Sequence, residues 1–320
     1  MGPHSKTVIV TGGNGYIGSH LSRYLANLDN RVIVIDKDFE FRFGKHPRNV
    51  EYHQLDLSNS NSPNEVCNLL SKVPMNSIMV HLAAEKSVED SIRDPDLYIS
   101  NNVNSTRTIL KSMSDLGLRN LVFSSTAAVY APTPDSTKVN ESSDLMTLNP
   151  YAESKLMSEE DIASGNFGEF NYATMRFFNV AGADSKTSIE KDGKNLIPQL
   201  IRAAENDCVF RIYGNDYPTR DGTCVRDYID VRDLIEAVCR TFSFIESGPV
   251  GILNIGNGVG YSVLEVVQRI QSRIPQLRYE FSARRTGDHA FVVADSSKAQ
   301  RKLEWSPRYS LDDMIDSVVS

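Results

Sequence analysis

Apolar residues along this chain fall into short runs rich in β-branched side chains, separated by longer polar stretches with helical spacing. The runs are TVIV (7–10), RVIVID (31–36), SIMVHL (77–82), NLVFSS (120–125), YATMRFF (172–178) and GILNIG (251–256), with the shorter VEYHQL from 50. Runs of this length bounded by turn residues predict buried strands. Helical spacing over 16–28, 96–116, 151–162 and 233–244 predicts helices between them. Strand and helix alternate, so the expected fold is α/β, a Rossmann-type doubly wound parallel sheet. The polar segment 133–149, with Pro134, predicts a surface loop over the sheet edge. Beyond about 180 the alternation loosens, which predicts a smaller C-terminal substrate-binding domain. The expected division is a first domain over 1–180, with the chain returning to it around 225–260, and a second mainly over 181–320. SLDDMIDSVV predicts a last helix capped by Ser310. No internal repeat interrupts this pattern.

Composition narrows the function classes. At 320 residues, 40% hydrophobic and 23% charged, the chain can bury a substantial core. No apolar stretch reaches the ~18–20 residues of a membrane span, and 1–6 is too short and polar for a secretory signal, so the expected address is cytoplasmic. A net charge of −7 argues against a nucleic-acid surface, so any anionic ligand must be held locally. Cys67, Cys208, Cys224 and Cys239 lack CxxC spacing, and His4, His20, His46, His53, His81 and His289 lack metal-ligand spacing. Free thiols and no metal are expected.

Candidate chemistry begins at TGGNGYIGSH (11–20), directly after the first strand and opening the first helix. That context turns a weak glycine pattern into a dinucleotide signal. Gly12 is expected to make the tight turn, Gly15 to let a pyrophosphate approach the backbone, and Gly18 to let the helix pack on the sheet. The helix start at Tyr16 and Ile17 then offers free N–H groups to phosphate. Asp36 ends the second strand, 24 residues after Gly12, where its carboxylate can accept both hydroxyls of an adenosine ribose and repel a 2′-phosphate; NAD is therefore expected over NADP. Asp56 and Leu57 follow the third strand and are placed to touch the adenine.

Further along, SSTAAVY (124–130) ends a strand and YAESK (151–155) starts a helix. Tyr151 and Lys155 are four apart and share a face. An ammonium beside a phenol lowers its pKa, which would make Tyr151 a general base for a sugar hydroxyl, with Thr126 relaying the proton.

These residues resemble the extended short-chain dehydrogenase/reductases, and within them the UDP-glucose (UDP-galactose) 4-epimerases. The resemblance runs from about Lys6 to beyond Trp305 and rests on TGGNGYIGSH, HLAAEKSVEDS, NNVNSTRTIL, SSTAAVY, YAESK, RFFNVAGA, IYGNDYPTRDGTCVRDYIDVRDL and RRTGDHAFVVADSSKA. It implies an isomerase with tightly bound NAD, which oxidises C4 of a UDP-hexose to a transient 4-keto sugar and reverses the step on the other face. Tyr151 is then the base, Lys155 its activator and a ribose ligand, and Thr126 the third catalytic residue. The cofactor would also be lined by Leu82, Ala83, Ala84, Lys86, Asn101, Ser124 and Phe178. Lys86, Asn179, Asn195, Leu196, Arg226, Arg285 and Asp288 would bind the nucleotide sugar. A homodimer through the helices near 96–116 and 151–162 is implied as well.

Val292 stands where some members of the family carry Tyr and others a small residue, so N-acetylated UDP-hexoses are expected as further substrates. A nucleotide-sugar dehydratase is the nearest rival, yet Ala127 and Ala128 occupy the place where 4,6-dehydratases carry an acidic pair. A dehydratase with a differently placed acid stays open. A non-catalytic NAD-binding sensor would have no need of Thr126, Tyr151 and Lys155.

Overall fold

The computed structural model describes residues 6–38, 47, 49–133, 137–190, 193–285 and 287–319. Within it the chain divides into two compact units: 1–129, 147–176 and 235–253 form the first, and 130–146, 177–234 and 254–320 the second.

The first unit is built on a sheet of 7 strands in the order β10-β6-β5-β4-β1-β2-β3. These are β1 (Thr7–Thr11), β2 (Arg31–Asp36), β3 (Val50–Gln54), β4 (Ile78–His81), β5 (Asn120–Thr126), β6 (Asn171–Phe177) and β10 (Gly251–Ile255). β3, β2, β1, β4 and β5 pair in parallel, with Val10 opposite both Val34 and Val80. The order reverses on either side of β1, the crevice where doubly wound sheets bind ligands beyond the strand ends. Helices α1 (Tyr16–Asn27), α2 (Ser62–Leu70), α3 (Val88–Arg93), α4 (Pro95–Leu116), α5 (Pro150–Ala163) and α7 (Val231–Ile245) connect the strands. Apart from edge strand β3, where Val50 alone is buried, the strands bury most of their side chains because both faces are covered; Val8, Ile9, Val10, Val34 and Val80 are 0% exposed. One face packs Ile9, Ile33, Met79, Leu121 and Phe123 against Ile109, Leu110 and Met113 of α4.

Helix ends follow local chemistry. Asp94 caps α4 by accepting from Leu97 N, with Pro95 in the first turn and Gly117 in the left-handed conformation at its end. Asn149 accepts from Ala152 N and Pro150 opens α5. Among the described residues, no helix is long and apolar enough to cross a membrane.

The second unit holds β7 (Asn179–Ala181), α6 (Leu196–Glu205), β8 (Val209–Tyr213), β9 (Val225–Asp230), β11 (Gly260–Ser262), α8 (Val263–Gln271), β12 (Arg278–Ser282), β13 (Phe291–Val292), α9 (Ser297–Leu303) and α10 (Leu311–Val319). β9 pairs with β7 and β13 in parallel and with β11 antiparallel, while β8 and β12 form a separate parallel pair. Leu200, Val266, Ile270, Leu311 and Met314 are its apolar centre. Ser310 and Asp313 cap α10 reciprocally.

The 133–149 segment is largely the surface loop expected of it, with Leu145, Met146 and Leu148 exposed. Residues 134–136 lie outside the described residues, but Val139 is 1% exposed and bridges Ala294, and Tyr130 bridges Leu145. Val139 is the buried anchor the polar composition does not signal, and Tyr130, just before the segment, donates from Oη to Asn254 Oδ1 at 2.6 Å in the second unit.

Leu121→Ala is expected to lower the unfolding free energy by about 2–5 kcal/mol through the cavity it leaves, whereas Met75→Ala, at a side chain 70% exposed, is expected to change it by less than about 0.5 kcal/mol. Urea denaturation of the two variants checks the pair.

Candidate active site

The glycine loop joins β1 to α1, and its geometry leaves no room for larger residues. Gly12 has φ +70°, and a Cβ there would sit 2.7 Å from Ala83 N. A Cβ on Gly13 would strike the Val34 side chain at 2.5 Å, and one on Gly18 would lie 2.1 Å from Gly12 O. The Gly18 contact therefore closes the helix onto its own loop rather than onto the sheet, a refinement of the packing role expected of it. Gly13, not singled out from the sequence, is the residue that lets the loop lie on β2. Gly15 differs: it is exposed, with φ −70° as the α1 N-cap, and a Cβ would meet only Gly12 O at 3.2 Å.

Several observations fit a dinucleotide in this cradle. The α1 N-terminus has no side-chain cap and no acidic residue in its first turn. Asn14 Oδ1 is buried and has no hydrogen-bond partner among the described residues. Asp36 Oδ2 accepts from Asn14 N at 2.9 Å and its Oδ1 from Asp38 N at 3.0 Å, so the carboxylate is fixed at the end of β2. Burial pushes its pKa up against those hydrogen bonds. Tyr16 packs edge-on against His20 in the interior, and its carbonyl accepts from His20 Nδ1 at 2.8 Å and Ser19 Oγ at 3.0 Å. Asp56 is exposed and accepts from Ser58 N and Oγ at 2.9 and 2.7 Å. The Leu57 side chain is 4% exposed and belongs to the core, so only its backbone is offered to an adenine.

Beyond β4 the backbone of Leu82 and Ala83 is held by Thr11, whose Oγ1 accepts from both N–H groups at 3.2 and 3.3 Å. Thr11 Oγ1 also lies 2.7 Å from His81 Nδ1, and His81 Nε2 is 3.2 Å from Thr106 Oγ1. Burial drives the imidazole pKa down to about 3, so the ring is neutral. With two N–H groups already on its oxygen, Thr11 donates to Nδ1, and Nε2–H donates to Thr106. Ala84 and the exposed Lys86 continue this loop, and Glu85 exchanges hydrogen bonds with Asn102, the neighbour of Asn101 on α4.

Tyr151, Lys155 and Thr126 meet in the first unit. Tyr151 hydrogen-bonds the Thr126 side chain, and Lys155 Nζ donates to Ser124 O at 2.8 Å, 4.9 Å from the centre of the Phe123 ring. Lys155 is 4% exposed, and burial pushes its pKa down to about 7. The Tyr151 pKa is raised, not lowered as the residue pattern predicts. Burial of the phenol outweighs the Thr126 hydrogen bond, and the Lys155 ammonium is turned to the Ser124 carbonyl.

Five nucleotide-sugar candidates lie in the second unit on or near β9. Val292 on β13 pairs with Arg226 on β9, whose Nη1 donates to His289 O at 2.7 Å and whose Nη2 lies 3.5 Å from Asp288 Oδ1. Arg285 precedes this turn, with its guanidinium 3.8 Å from the centre of the Tyr213 ring. Asn179 donates to Asp227 O at 2.9 Å on β7. Asn195 is the α6 N-cap position and Leu196 its first residue, so these two stand at a helix start apart from the Arg226 turn. Phe178, expected with the cofactor group, is buried in this second unit, its N–H on Ile255 O at 3.1 Å.

Residues 8–256 match the NAD dependent epimerase/dehydratase family. The chain belongs to that family. It is 35% identical to a UDP-glucose 4-epimerase of Lactobacillus helveticus, over 96% of this chain and 94% of that protein. Its fold is similar to that of a UDP-glucose 4-epimerase from Stenotrophomonas maltophila solved with bound NAD and formylated UDP-arabinopyranose. The TM-score is 0.88 at 31% identity, covering 98% of this chain and 97% of the other. A UDP-Glc/GlcNAc 4-epimerase from Campylobacter jejuni is similar at a TM-score of 0.80 and 31% identity, with 98% of each chain covered.

Membership in this family makes the glycine loop testable through NAD. Gly15→Ala is expected to leave the melting temperature of the cofactor-free protein unchanged but weaken NAD about tenfold or more. Gly18→Ala is expected to destabilise the fold itself by about 1–3 kcal/mol. Isothermal titration and thermal unfolding, run side by side, separate the two effects.

Proposed function

We propose that this chain is an NAD-dependent 4-epimerase of UDP-hexoses, interconverting UDP-Glc and UDP-Gal through a transient 4-keto sugar. The observation that carries the reading is the meeting of Tyr151, Thr126 and Lys155 in the unit that also holds the glycine loop, in a chain whose relatives across its length are named UDP-glucose 4-epimerases. NAD, when bound, supplies the hydride acceptor and donor.

In this reading Gly12, Gly15, Gly18 and the α1 N-terminus hold the pyrophosphate, Asp36 the adenosine ribose, and Lys155 the nicotinamide ribose. The Leu82–Lys86 loop, Asn101, Ser124 and Phe178 complete the cofactor contacts. Tyr151 takes the 4-hydroxyl proton, with Thr126 orienting the oxygen. A phenol made more basic by burial is a strong base once ionised, and the Lys155 ammonium together with a bound cationic nicotinamide would favour the ionised form. Arg226 and Arg285 neutralise the diphosphate, which an acidic protein must do locally, and Asp288 accepts from the uridine ribose. Asn179, Asn195 and Leu196 shape the sugar site. The first unit is then the NAD-binding domain and the second the UDP-sugar domain. A homodimer in the cytoplasm completes the proposal; light scattering at twice the chain mass supports it, and a monomeric mass removes it.

Ala127 and Ala128 favour epimerisation over dehydration, because no acid is supplied there for loss of water. Proton NMR of the anomeric signals with UDP-Gal is expected to show UDP-Glc forming, and Tyr151→Phe to slow it about 10²–10⁴-fold. A deoxy product would replace the reading with dehydration. The rate is expected to fall on an alkaline limb well below the ordinary lysine range, since burial lowers the pH at which Lys155 loses its charge.

Val292 is a half-buried small side chain in β13, so N-acetylated UDP-hexoses belong to the proposed substrates. Val292→Tyr is expected to cut the UDP-GalNAc rate about tenfold or more relative to UDP-Gal by steric overlap. Equal rates in the variant would remove the proposed role of this position.

A further inference from the structure

The buried face of α5 carries a carboxylate that the proposed chemistry leaves unused. Glu159 stands one turn beyond Lys155 and is 6% exposed. Arg176 of β6, 1% exposed, grips it with a fork: Nε donates to Oε1 at 3.0 Å and Nη2 to Oε2 at 2.7 Å. Ser125 Oγ donates to Oε1 of the same carboxylate. Ser125 lies between the two residues of β5 that touch the catalytic pair. Ser124 O accepts from Lys155 Nζ at 2.8 Å, and the Thr126 side chain hydrogen-bonds Tyr151. The carboxylate on α5 is thus tied to the one residue of β5 whose neighbours on either side hold the base and its lysine.

Stability alone does not call for this arrangement. A buried ion pair recovers little over apolar side chains of the same volume, because both charges must leave water. The geometry points to Glu159, paired with Arg176, as a positioning residue that keeps Lys155 in its ammonium form and sets the end of β5 against α5. This inference rests on the Tyr151–Lys155 reading above.

The charges around Lys155 support it. On α5 itself Tyr151 and Glu159 flank it; β4 contributes His81, which is neutral; and β6 contributes Arg176, spent on Glu159. β5 has no ionisable residue, and from α4 Tyr98 faces Tyr151. Burial draws the Lys155 pKa down and the Glu159 charge draws it up. Glu159 therefore opposes the loss of the ammonium on which the base depends.

The test uses the NAD-loaded protein and four variants: Glu159→Gln, Glu159→Asp, Arg176→Met, and Glu159→Gln combined with Arg176→Met. For each, kcat is measured against pH by anomeric NMR, with NAD content and melting temperature recorded. Glu159→Gln keeps an acceptor for Ser125 but removes the charge, so the alkaline limb is expected to move acidward by about one pH unit. kcat above that limb is expected to fall about tenfold. Glu159→Asp keeps the charge and is expected to hold the limb in place. Arg176→Met, which strips the counter-ion, is expected to lower the melting temperature most. If Glu159→Gln does not fold, the double variant is read in its place; it removes the Arg176 charge together with that of Glu159, so its acidward shift is expected to be smaller but in the same direction. An unmoved limb in a folded, NAD-loaded variant without the Glu159 charge overturns the inference and leaves the pair a structural brace. A wild-type chain that epimerises no UDP-hexose overturns the functional reading instead.

Discussion

A lysine ammonium and a carboxylate–guanidinium pair cannot lie in a protein interior unless oxygen and nitrogen partners surround them, and this requirement organises the layer between α5 and the sheet. Lys155 reaches the Ser124 carbonyl, Ser125 reaches Glu159, and Arg176 closes the series from the neighbouring strand. Removing one member would leave a buried charge without compensation, a far larger penalty than the pair's net contribution to stability. The layer is therefore specified in detail, and the catalytic candidates inherit that definition from it. Tyr151 stands one turn before Lys155 on the same helix, and Thr126 follows Ser125 on the same strand.

A second polar seam ties this layer to the glycine loop. Thr11 at the end of β1 holds the backbone after β4, and His81 carries the contact to Thr106 of α4. From there Thr106 and Asn102 meet Ser158 and Ser154 on α5 at 3.2 and 2.9 Å. A neutral histidine suits this place because it donates on one side and accepts on the other without a charge to desolvate. The glycine loop lies directly after Thr11, so its close approach to Leu82 and Ala83 and the placing of α5 share one network.

The second unit uses buried carboxylates to shape loops. Asp227 accepts from the backbone N–H groups of Asn257, Gly258 and Ala294, and burial raises its pKa to about 6. Asp233 accepts from Arg308 N and Tyr309 N, while its carbonyl takes the Trp305 indole. Backbone anchored this way holds β9 and β13 in register, and Arg226 and Val292 are presented from those strands. The Arg226 turn is thereby rigid on a strand scaffold.

Much of this was readable in the chain itself. The apolar runs marked six strands of the sheet to within about two residues, because a strand covered on both faces has little choice but Val, Ile, Leu and Phe. Three glycines between a strand and a helix marked a loop of unusual closeness, and Tyr151 and Lys155 shared a face by spacing alone. Tertiary structure decided the rest. Helix α5 buries Ser154, Lys155, Ser158 and Glu159, a polar face that hydrophobic periodicity reads as solvent-facing. Glu159, Arg176 and His81 carry no local signal, since their partners lie on other strands and helices. The Tyr151 phenol is shifted upward rather than downward because burial, which spacing does not report, outweighs its neighbours. Local sequence determines period, caps and turns; which charges leave water together depends on the whole fold.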